Sequence, residues 1–385
     1  YKTNRKEIVG LPNTPPPLVL KLYLLIEGKN IEVQKPLKYR KNDPVKGEVT
    51  TTFQVLPSAT ANLNTPVQLF GTGQTKKVIV QVKNLGKSFR GKLSLKSPES
   101  WVIEPSHQEV MIDGKGIEKE FIFNVTAPKS EEVVQLRPEL TNDKEKIQAA
   151  IQEISYDHIP QQYIVQPSST RAVALNLKTG VERVAYINGA GDNVAESIEA
   201  VGVIVEKFDS DDITLEKLKS FDAVILGIRA FNVHESLSYK KNVLWTYVHQ
   251  GGNLLIQYNT SRGLKTRTIT PYSIELSRDR ITDENSKVKM LDIKHPLLNY
   301  PNKISLEDFE GWVQERGLYF PKQWDKNFSP LFEMSDPGEQ PKRGALLVAN
   351  YGEGKVVYTG LSFFRQLPAG VPGAYRLFFN LIANK

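Results

Sequence analysis

Apolar and polar residues follow two different patterns along this chain, and the change falls near residue 170. Upstream of it, apolar and polar residues alternate over short stretches, and turn residues recur at the spacing of an all-β domain. The clearest alternating stretches are residues 78–82, 92–95 and 120–125. We therefore predict a β-sandwich over residues 57–166.

Downstream of the change, short apolar runs are separated by segments with the apolar spacing of helices. The predicted strands are residues 183–187, 203–205, 223–228, 253–258, 345–349 and 355–360, and the predicted helices are 194–201, 215–221, 239–250 and 375–383. The β-α-β order at the start of this region predicts a parallel sheet covered by helices on both faces, over residues 167–385. Asn193 and Glu196 are spaced as a capping box for the first helix.

Residues 1–56 carry the alternation and turns of about three strands, whereas an independent sandwich needs roughly 100 residues. We predict that they form the C-terminal part of an upstream β-sandwich, followed by a linker. The chain begins with Tyr1, and no charged segment followed by an apolar one marks a signal peptide. We therefore expect the sequence to be a piece of a longer protein.

The amino-acid composition excludes several classes of protein and several kinds of site. The chain has no cysteine, which excludes a disulfide scaffold, a thiolate zinc site, an iron–sulfur cluster and a cysteine nucleophile. The net charge is +7, but no basic run is interleaved with aromatic residues, so we predict no nucleic-acid partner. The longest apolar stretch, residues 18–26, contains Lys21 and is far shorter than a membrane span of about 20 residues.

Candidate binding residues follow the predicted parallel strands, because ligands of open α/β sheets bind beyond the carboxyl ends of their strands. Asp192 follows the first strand, Arg229 and Asn232 follow the third, and Asn259 follows the fourth. The run Gly189-Ala190-Gly191 is similar to a dinucleotide-binding turn, but Val194 replaces its third glycine. We favour a tight turn that needs two glycines.

The segment from residue 278 to residue 376 mixes arginines, carboxylates and aromatic residues. One interpretation is a structural network of ion pairs that holds long loops, and the other is a surface that binds a glycan or a protein partner. Under the second, we expect Arg229, Asn259, Arg278 and Arg316 to line one polar cleft, closed over by aromatic residues around Trp312. Arg365 belongs to the same candidate set.

No pattern of catalysis or metal binding accompanies these residues. The sequence lacks the Gly-x-Ser-x-Gly motif of a serine hydrolase, and none of its five histidines has the spacing of metal ligands. We therefore predict no catalytic residue and no metal site in this chain.

Several long segments resemble the C-terminal part of large secreted bacterial deacetylases of the PIG-L (LmbE-like) family. The segments that carry this resemblance are residues 39–49, 154–160, 189–192, 224–232, 251–260, 308–319 and 358–376. The resemblance implies an immunoglobulin-like β-sandwich followed by a class I glutamine-amidotransferase-like (ThuA-like) domain with a flavodoxin-like parallel α/β sheet. It also implies a zinc-dependent N-acetyl-sugar deacetylase domain upstream, whose Pro-Asp-Asp metal motif does not occur in this sequence.

Two departures from the related domains indicate that this chain does not itself catalyse a reaction. The amidotransferase nucleophile would be a cysteine after the fourth strand, where this chain has Tyr258-Asn259-Thr260. The Gly-His pair of ThuA-like proteins is replaced by Gly360-Leu361. The resemblance therefore implies a non-catalytic accessory or scaffold region that holds no cofactor of its own, with zinc only in the deacetylase domain.

The expected partners are the protein's own N-terminal deacetylase domain and, in addition, a glycan or proteins of the cell envelope. The expected location is secreted, periplasmic or on the cell surface, which a cysteine-free chain fits. Two alternatives stay open: a hydrolase or transferase that acts in the α/β cleft, and a structural subunit of a cell-envelope complex.

Overall fold

The computed structural model describes residues 8–11, 15–159 and 161–383, and most of its regular structure is β-sheet distributed over several sheets. Within these residues, no helix combines the length and the apolar character that crossing a membrane requires.

The N-terminal region consists of two antiparallel hairpins. Their strands are β1 (Val19–Ile26), β2 (Lys29–Pro36), β3 (Lys38–Asp43) and β4 (Gly47–Thr52). In the first hairpin, Leu22 faces Val33 and Leu24 faces Ile31, so one face is apolar, and every residue of both strands is exposed. The predicted strands are present, and their membership of a larger upstream sandwich stays a prediction.

A two-layer β-sandwich follows. Its main strands are β5 (Ala59–Leu63), β6 (Val67–Gly71), β7 (Thr75–Asn84), β8 (Ser88–Lys96), β9 (Val102–Glu104), β10 (Gln108–Asp113), β11 (Glu118–Thr126), β12 (Glu132–Thr141), β13 (Lys146–Ile147), β14 (Ala149–Ile154), β15 (Gln162–Pro167) and β16 (Thr170–Leu175). One sheet has the order β10-β8-β12-β16-β6 and the other β5-β7-β11-β9. Val80 and Phe123 from one sheet join Leu93 and Leu136 from the other in a single buried cluster.

Strand β16 corrects the predicted boundary between the sandwich and the C-terminal region. It pairs with β12 and β6 of the sandwich, so residue 167 is too early for the start of the next unit. Both faces of β16 are buried, because Ala172 and Ala174 enter the sandwich core while Val173 and Leu175 enter the core of the C-terminal region. A strand buried on both faces has no alternation, which is why its sequence resembles a strand of a parallel sheet.

The C-terminal region is built on a seven-stranded sheet with the order β18-β17-β19-β20-β27-β26-β24. Its elements are β17 (Arg183–Ile187), α1 (Val194–Glu199), β18 (Ile204–Phe208), α2 (Leu215–Leu218), β19 (Ala223–Leu226), α3 (Ala230–Val233), α4 (Leu237–His249), β20 (Asn253–Gln257), β21 (Ile274–Ile281), β22 (Val288–Met290), β23 (Gly317–Trp324), β24 (Ser329–Pro330), β25 (Phe332–Met334), β26 (Leu346–Tyr351), β27 (Gly354–Thr359), α5 (Phe363–Gln366) and α6 (Pro372–Ile382). The first five strands in this order are parallel, whereas β26 pairs antiparallel with both of its neighbours, β27 and β24.

Helices cover both faces of this sheet. Along β17, Val184 and Tyr186 pack in one buried cluster, which includes Ile198 of α1 and residues of α6. Ala185 and Ile187 pack in the other cluster, which includes residues of α2 and α4. The alternation of β17 between two cores explains its continuous apolar sequence.

A two-stranded ribbon, β21 paired with β23, lies at the carboxyl end of the parallel strands. The Leu318 N–H donates to the Gly360 carbonyl just after β27 (2.9 Å), and the Ser362 N–H donates to the Arg316 carbonyl (3.0 Å). The segment between β20 and the last strands therefore folds back over this edge.

Candidate functional site

The loops after β17 and β19 approach each other at two glycines. A Cβ added to Gly189 would collide with the carbonyl oxygen of Ile228, and a Cβ on Gly227 would collide with the Gly189 nitrogen. The Ala190 N–H donates to the Ile228 carbonyl (2.8 Å). Gly191 has a φ of +97°, which glycine adopts without strain. These glycines therefore serve a tight turn and a close approach of two backbones.

Asp192 joins the same two loops. One carboxylate oxygen accepts bonds from the Tyr186 hydroxyl (2.6 Å) and the Val194 N–H (3.0 Å), and the other accepts from the Ile228 N–H (3.2 Å). Burial, together with the charge of Asp192, raises the pKa of Tyr186 well above its usual value. Asp192 therefore holds these two loops together, and its contact with a ligand stays a prediction.

The predicted capping box at α1 is absent. The Asn193 side chain makes no capping bond, and Glu196 instead pairs with Lys207 on β18 (2.6 Å). Asp192 takes over the capping function, because it bonds the backbone of the first helical residue.

Asn232 and Asn259 hold the loop that follows β20, which corrects the prediction that they contact a ligand. The Asn232 amide donates to the carbonyls of Thr260 and Arg262 (both 3.1 Å) and accepts from the Thr260 N–H (2.9 Å). Asn259 accepts from the Phe231 N–H (3.0 Å). Both side chains are buried, so their polar groups serve the protein backbone.

Arg316 and Trp312 lie in the core and do not line a cleft. Arg316 is 5% exposed and donates to the carbonyls of Ser286 (3.0 Å) and Phe309. Burial lowers its pKa to about 10. Trp312 is 3% exposed, and its indole N–H donates to the Asp308 carbonyl (3.0 Å). Both interpretations of Arg316 were wrong, because carbonyl groups satisfy it in place of a ligand or a carboxylate.

The residues that do face one another at this end of the sheet surround Tyr258, directly after β20. The Tyr258 ring is parallel to the Tyr319 ring, with centroids 6.0 Å apart, and lies 5.3 Å from the Phe364 ring. Tyr258 is 7% exposed, and its burial raises the pKa of its phenol, an effect opposed by Arg229 and Arg365. Within the described residues, no group hydrogen-bonds to the hydroxyl of either tyrosine.

Charged groups border these rings. Arg365 donates from Nε to the Glu315 carboxylate (2.8 Å), and its guanidinium lies 4.8 Å from the centre of the Phe364 ring. Within the described residues, no hydrogen bond or ion pair involves the two terminal nitrogens of Arg365. Arg229 is exposed, and its backbone N–H donates to the Tyr258 carbonyl (2.7 Å). We call Arg229, Tyr258, Glu315, Tyr319, Phe364 and Arg365 the Tyr258 site.

The backbone of this site is unusual. In the part of the chain that the structure describes, the non-glycine residues with positive φ are Glu27, Arg229 (56°), Gln314 (66°) and Tyr319 (53°). Glu27 lies in the turn of the first hairpin, and the other three belong to the Tyr258 site or adjoin it. Such conformations cost about 1–3 kcal/mol each and cluster at binding and active sites. Three of the four strained residues therefore lie in the Tyr258 site or beside it.

Arg278 lies on the ribbon and is not a member of the Tyr258 site. It is exposed on β21 in an irregular stretch, where the pairing shifts between Leu276 opposite Pro321 and Asp279 opposite Phe320. The Ser277 hydroxyl donates to the Phe320 carbonyl across the ribbon (2.8 Å). Arg278 is thus carried on the strand next to the one that holds Tyr319.

Sequence reasoning named Arg229 and Arg365 as binding residues and missed Tyr258. It included Glu315, Tyr319 and Phe364 only as part of the mixed segment 278–376, without assigning them to this site. Tyr258 could have been found, since it directly follows the fourth strand at the edge where ligands bind. The others come from the ribbon and from α5, and no local pattern brings those segments to Tyr258.

The opposite, amino end of the parallel strands holds a cavity of about 650 Å³. It is lined by Asn253 at the start of β20, Lys355 at the start of β27 and His295. Burial lowers the pKa of Lys355 to about 8, and the Lys355 ammonium donates to the Ala383 carbonyl (3.1 Å). Burial also lowers the pKa of His295. Across the described residues, no group of three or more His, Asp or Glu side chains is placed to hold a metal ion.

Comparison with known proteins gives matches among solved structures only. No protein-family model and no curated protein matches the chain. Among solved structures, a β-galactosidase from Rahnella sp. R3 is similar at 16% identity and a TM-score of 0.33, over 51% of this chain and 30% of that chain. The exo-β-1,4-mannosidase Op5Man5 from Opitutaceae bacterium strain TAV5 is similar at 12% identity and a TM-score of 0.32, over 53% of this chain and 37% of that one.

A family 123 glycoside hydrolase from Clostridium perfringens is similar at 9% identity and a TM-score of 0.21, over 53% of this chain and 39% of that chain. This chain therefore spans well under half the length of each of these three enzymes. At such TM-scores, the similarity carries no argument about function.

Proposed function

We propose that this chain is a non-catalytic, carbohydrate-binding accessory region of a PIG-L-type N-acetyl-sugar deacetylase. The sandwich is the immunoglobulin-like module of that protein, and the C-terminal region is its class I glutamine-amidotransferase-like module. The packing of two sheets in the first and the five parallel strands of the second support this assignment. The region acts outside the cytoplasm beside its own deacetylase domain, which holds the zinc.

The observation that carries the proposal is the chemistry of the Tyr258 site. Two tyrosine hydroxyls lack partners among the described residues, and the free nitrogens of Arg365 lie next to the Glu315 carboxylate. A sugar presents hydroxyl groups that both donate and accept hydrogen bonds, so it needs such a mixture of donors and acceptors. Binding sites commonly combine aromatic surface with a few such polar groups, as this one does.

The charges in the structure favour binding over catalysis in the α/β cleft. A carboxyl group that acts as a general acid near neutral pH needs a raised pKa. The carboxyl groups whose pKa is shifted are all lowered, in the described residues; they are Glu32, Asp43, Glu139, Asp157, Glu196, Glu333 and Asp336. None of them belongs to the Tyr258 site.

Isothermal titration of the chain with a panel of neutral, N-acetylated and acidic oligosaccharides tests the proposal. We expect at least one class to bind, and Arg229→Asn to weaken that binding about tenfold or more without lowering the melting temperature. Asparagine is chosen because it tolerates the left-handed backbone of residue 229 better than most residues.

Arg137→Asn is the matched control, since it removes the same charge from an exposed position of the sandwich. If no class of oligosaccharide binds, or if Arg229→Asn and Arg137→Asn bind equally well, the Tyr258 site is not a carbohydrate site.

A further inference from the structure

Apart from Arg171, which is half-buried, and Arg316, which is buried, the arginines of the described residues fall into two groups. Those paired with carboxylates are Arg40, Arg90, Arg183, Arg343, Arg365 and Arg376. Those that are exposed and have no carboxylate within 4.0 Å, in the part of the chain described, are Arg137, Arg229, Arg262, Arg267, Arg278 and Arg280. All of the second group except Arg137 lie within residues 229–280. Exposed arginines therefore lack counter-charges mainly in one region of the chain.

The fold brings these arginines to the carboxyl end of the parallel strands. Arg229 follows β19, and the loop after β20 carries Arg262 and Arg267. That loop is held over α3, because Asn232 bonds the Arg262 carbonyl and the Lys265 N–H donates to the Phe231 carbonyl (2.9 Å).

The remaining two arginines, Arg278 and Arg280, are on β21, whose ribbon partner β23 carries Tyr319 of the Tyr258 site. The five unpaired arginines are thus carried by segments at the carboxyl end of the parallel strands, the end that also holds the Tyr258 site.

Three carboxylates of this region already pair with other cations, while Asp279, between Arg278 and Arg280, forms no ion pair within the described residues and offsets one of the charges. Glu235 pairs with Lys265 (3.5 Å), Glu275 pairs with Lys322 (2.7 Å), and Glu315 pairs with Arg365 (2.8 Å). A surface that concentrates cations without counter-charges raises the local concentration of anions and accelerates their binding.

On the basis of the proposed carbohydrate function, we propose that the ligand of the Tyr258 site is an acidic polysaccharide, whose carboxylate or sulfate groups bind Arg229, Arg278 and Arg280. The planar guanidinium matches such groups through two parallel hydrogen bonds. The tyrosine hydroxyls and Glu315 bind the sugar hydroxyls between the charged groups.

The aromatic geometry favours an acidic glycan over a nucleic acid. Single-stranded nucleic acids bind proteins largely by stacking bases on free aromatic faces. Here the Tyr258 and Tyr319 rings lie parallel to each other, and the Phe364 ring is covered by the Arg365 guanidinium. The faces of these rings therefore lie against neighbouring side chains, and the hydroxyl groups of the two tyrosines remain for contact with a ligand.

The test compares pairs of ligands that differ only in charge: oligogalacturonate with its methyl ester, and dextran sulfate with dextran. A single-stranded oligodeoxynucleotide of similar charge is the third probe. We expect at least one acidic ligand to bind about tenfold or more tightly than its neutral counterpart, with an affinity that falls as salt rises. We expect the oligodeoxynucleotide to bind more weakly than that acidic glycan.

The double variant Arg278→Gln/Arg280→Gln should reduce binding of the acidic ligand by tenfold or more without a change in melting temperature. The control Arg137→Gln/Lys129→Gln removes the same charge from exposed positions of the sandwich and should have no such effect.

Equal binding of charged and neutral ligands would overturn the acidic-glycan inference and leave the carbohydrate function standing. Tighter binding of the oligodeoxynucleotide would overturn the inference in favour of a nucleic acid. An absence of binding by every oligosaccharide would overturn the carbohydrate function itself.

Discussion

The two ends of the parallel strands hold cationic side chains in opposite surroundings. At the carboxyl end, Arg229 is exposed, has a left-handed backbone and lies close enough to Tyr258 to lower the pKa of its phenol. At the amino end, Lys355 lines a cavity and is buried enough that its pKa falls to about 8. The carboxyl end of the parallel strands thus has a strained backbone, and the amino end has a buried charge.

This difference separates exposed cations, which can bind a ligand, from buried cations, which contribute to the stability of the fold. An exposed guanidinium remains hydrated, so removing it changes stability little and affects mainly binding. A buried cation has lost its hydration, so its protonation contributes to the free energy of folding and changes with pH. Arg316, although predicted to share the site with Arg229, belongs with the buried group.

The largest effect is expected for Arg316→Met, which keeps the apolar stem but leaves the carbonyls of Ser286 and Phe309 without their donors. Each buried polar group that loses its partner costs about 1–3 kcal/mol, so we expect a loss of about 2–4 kcal/mol in the free energy of unfolding. Chemical denaturation measures it. Arg280→Met, at an exposed position, should change stability by less than about 0.5 kcal/mol. Similar losses of unfolding free energy in both variants would contradict the distinction between buried and exposed cations.

The next effect concerns the backbone contact at the carboxyl end. Gly189→Ala adds a Cβ against the Ile228 carbonyl, and we expect a loss of about 1–3 kcal/mol in unfolding free energy, because a packed backbone must shift. Gly71→Ala is the control, since its Cβ would meet only the Gln74 side chain at ordinary contact distance (3.5 Å). A fully stable Gly189→Ala protein would mean that the two loops are not tightly held.

At the amino end, Lys355 predicts a pH dependence of stability. Its folded pKa of about 8 lies below the unfolded value of about 10.4, so between these values the unfolded chain binds more protons. Stability should therefore rise with pH from 8 to 10, by about 1–2 kcal/mol after allowance for solvent screening.

In Lys355→Met this contribution should disappear, so the difference in unfolding free energy between variant and wild type should shift by that amount over the same range. Denaturation at pH 7, 8, 9 and 10 measures it. A constant difference would show that the Lys355 ammonium is hydrated.

The smallest effect is a change in the titration of Tyr258. Because Arg229 lowers the pKa of Tyr258, Arg229→Asn should raise that pKa. Nuclear magnetic resonance of ring-labelled tyrosine follows it, with Tyr258→Phe assigning the signal. Arg137→Asn should leave the titration unchanged, and an unaltered Tyr258 in Arg229→Asn would place Arg229 away from the ring.

Helices and strands were predictable from the sequence wherever the pattern of apolar and polar residues within one segment determines its structure. The predicted strand at 253–258 is β20 (Asn253–Gln257), and the predicted helix at 239–250 is α4 (Leu237–His249). Strand β16 was assigned to the wrong unit, because a strand buried on both faces gives the same apolar run in either unit. Its place depends on pairing with β6, about a hundred residues earlier in the chain.

The sequence by itself determined the change from alternating to helical periods, the order of the strands along the chain and the sheet edge where Arg229 and Tyr258 lie. Only the tertiary structure decided that Arg229 is exposed while Arg316 is buried against carbonyl groups, and that Tyr319 and Phe364 meet Tyr258. Periodicity is a local property that neighbouring residues share. The surroundings of a side chain depend on contacts with distant segments. The sequence alone therefore does not distinguish Arg229, which is exposed, from Arg316, which is buried.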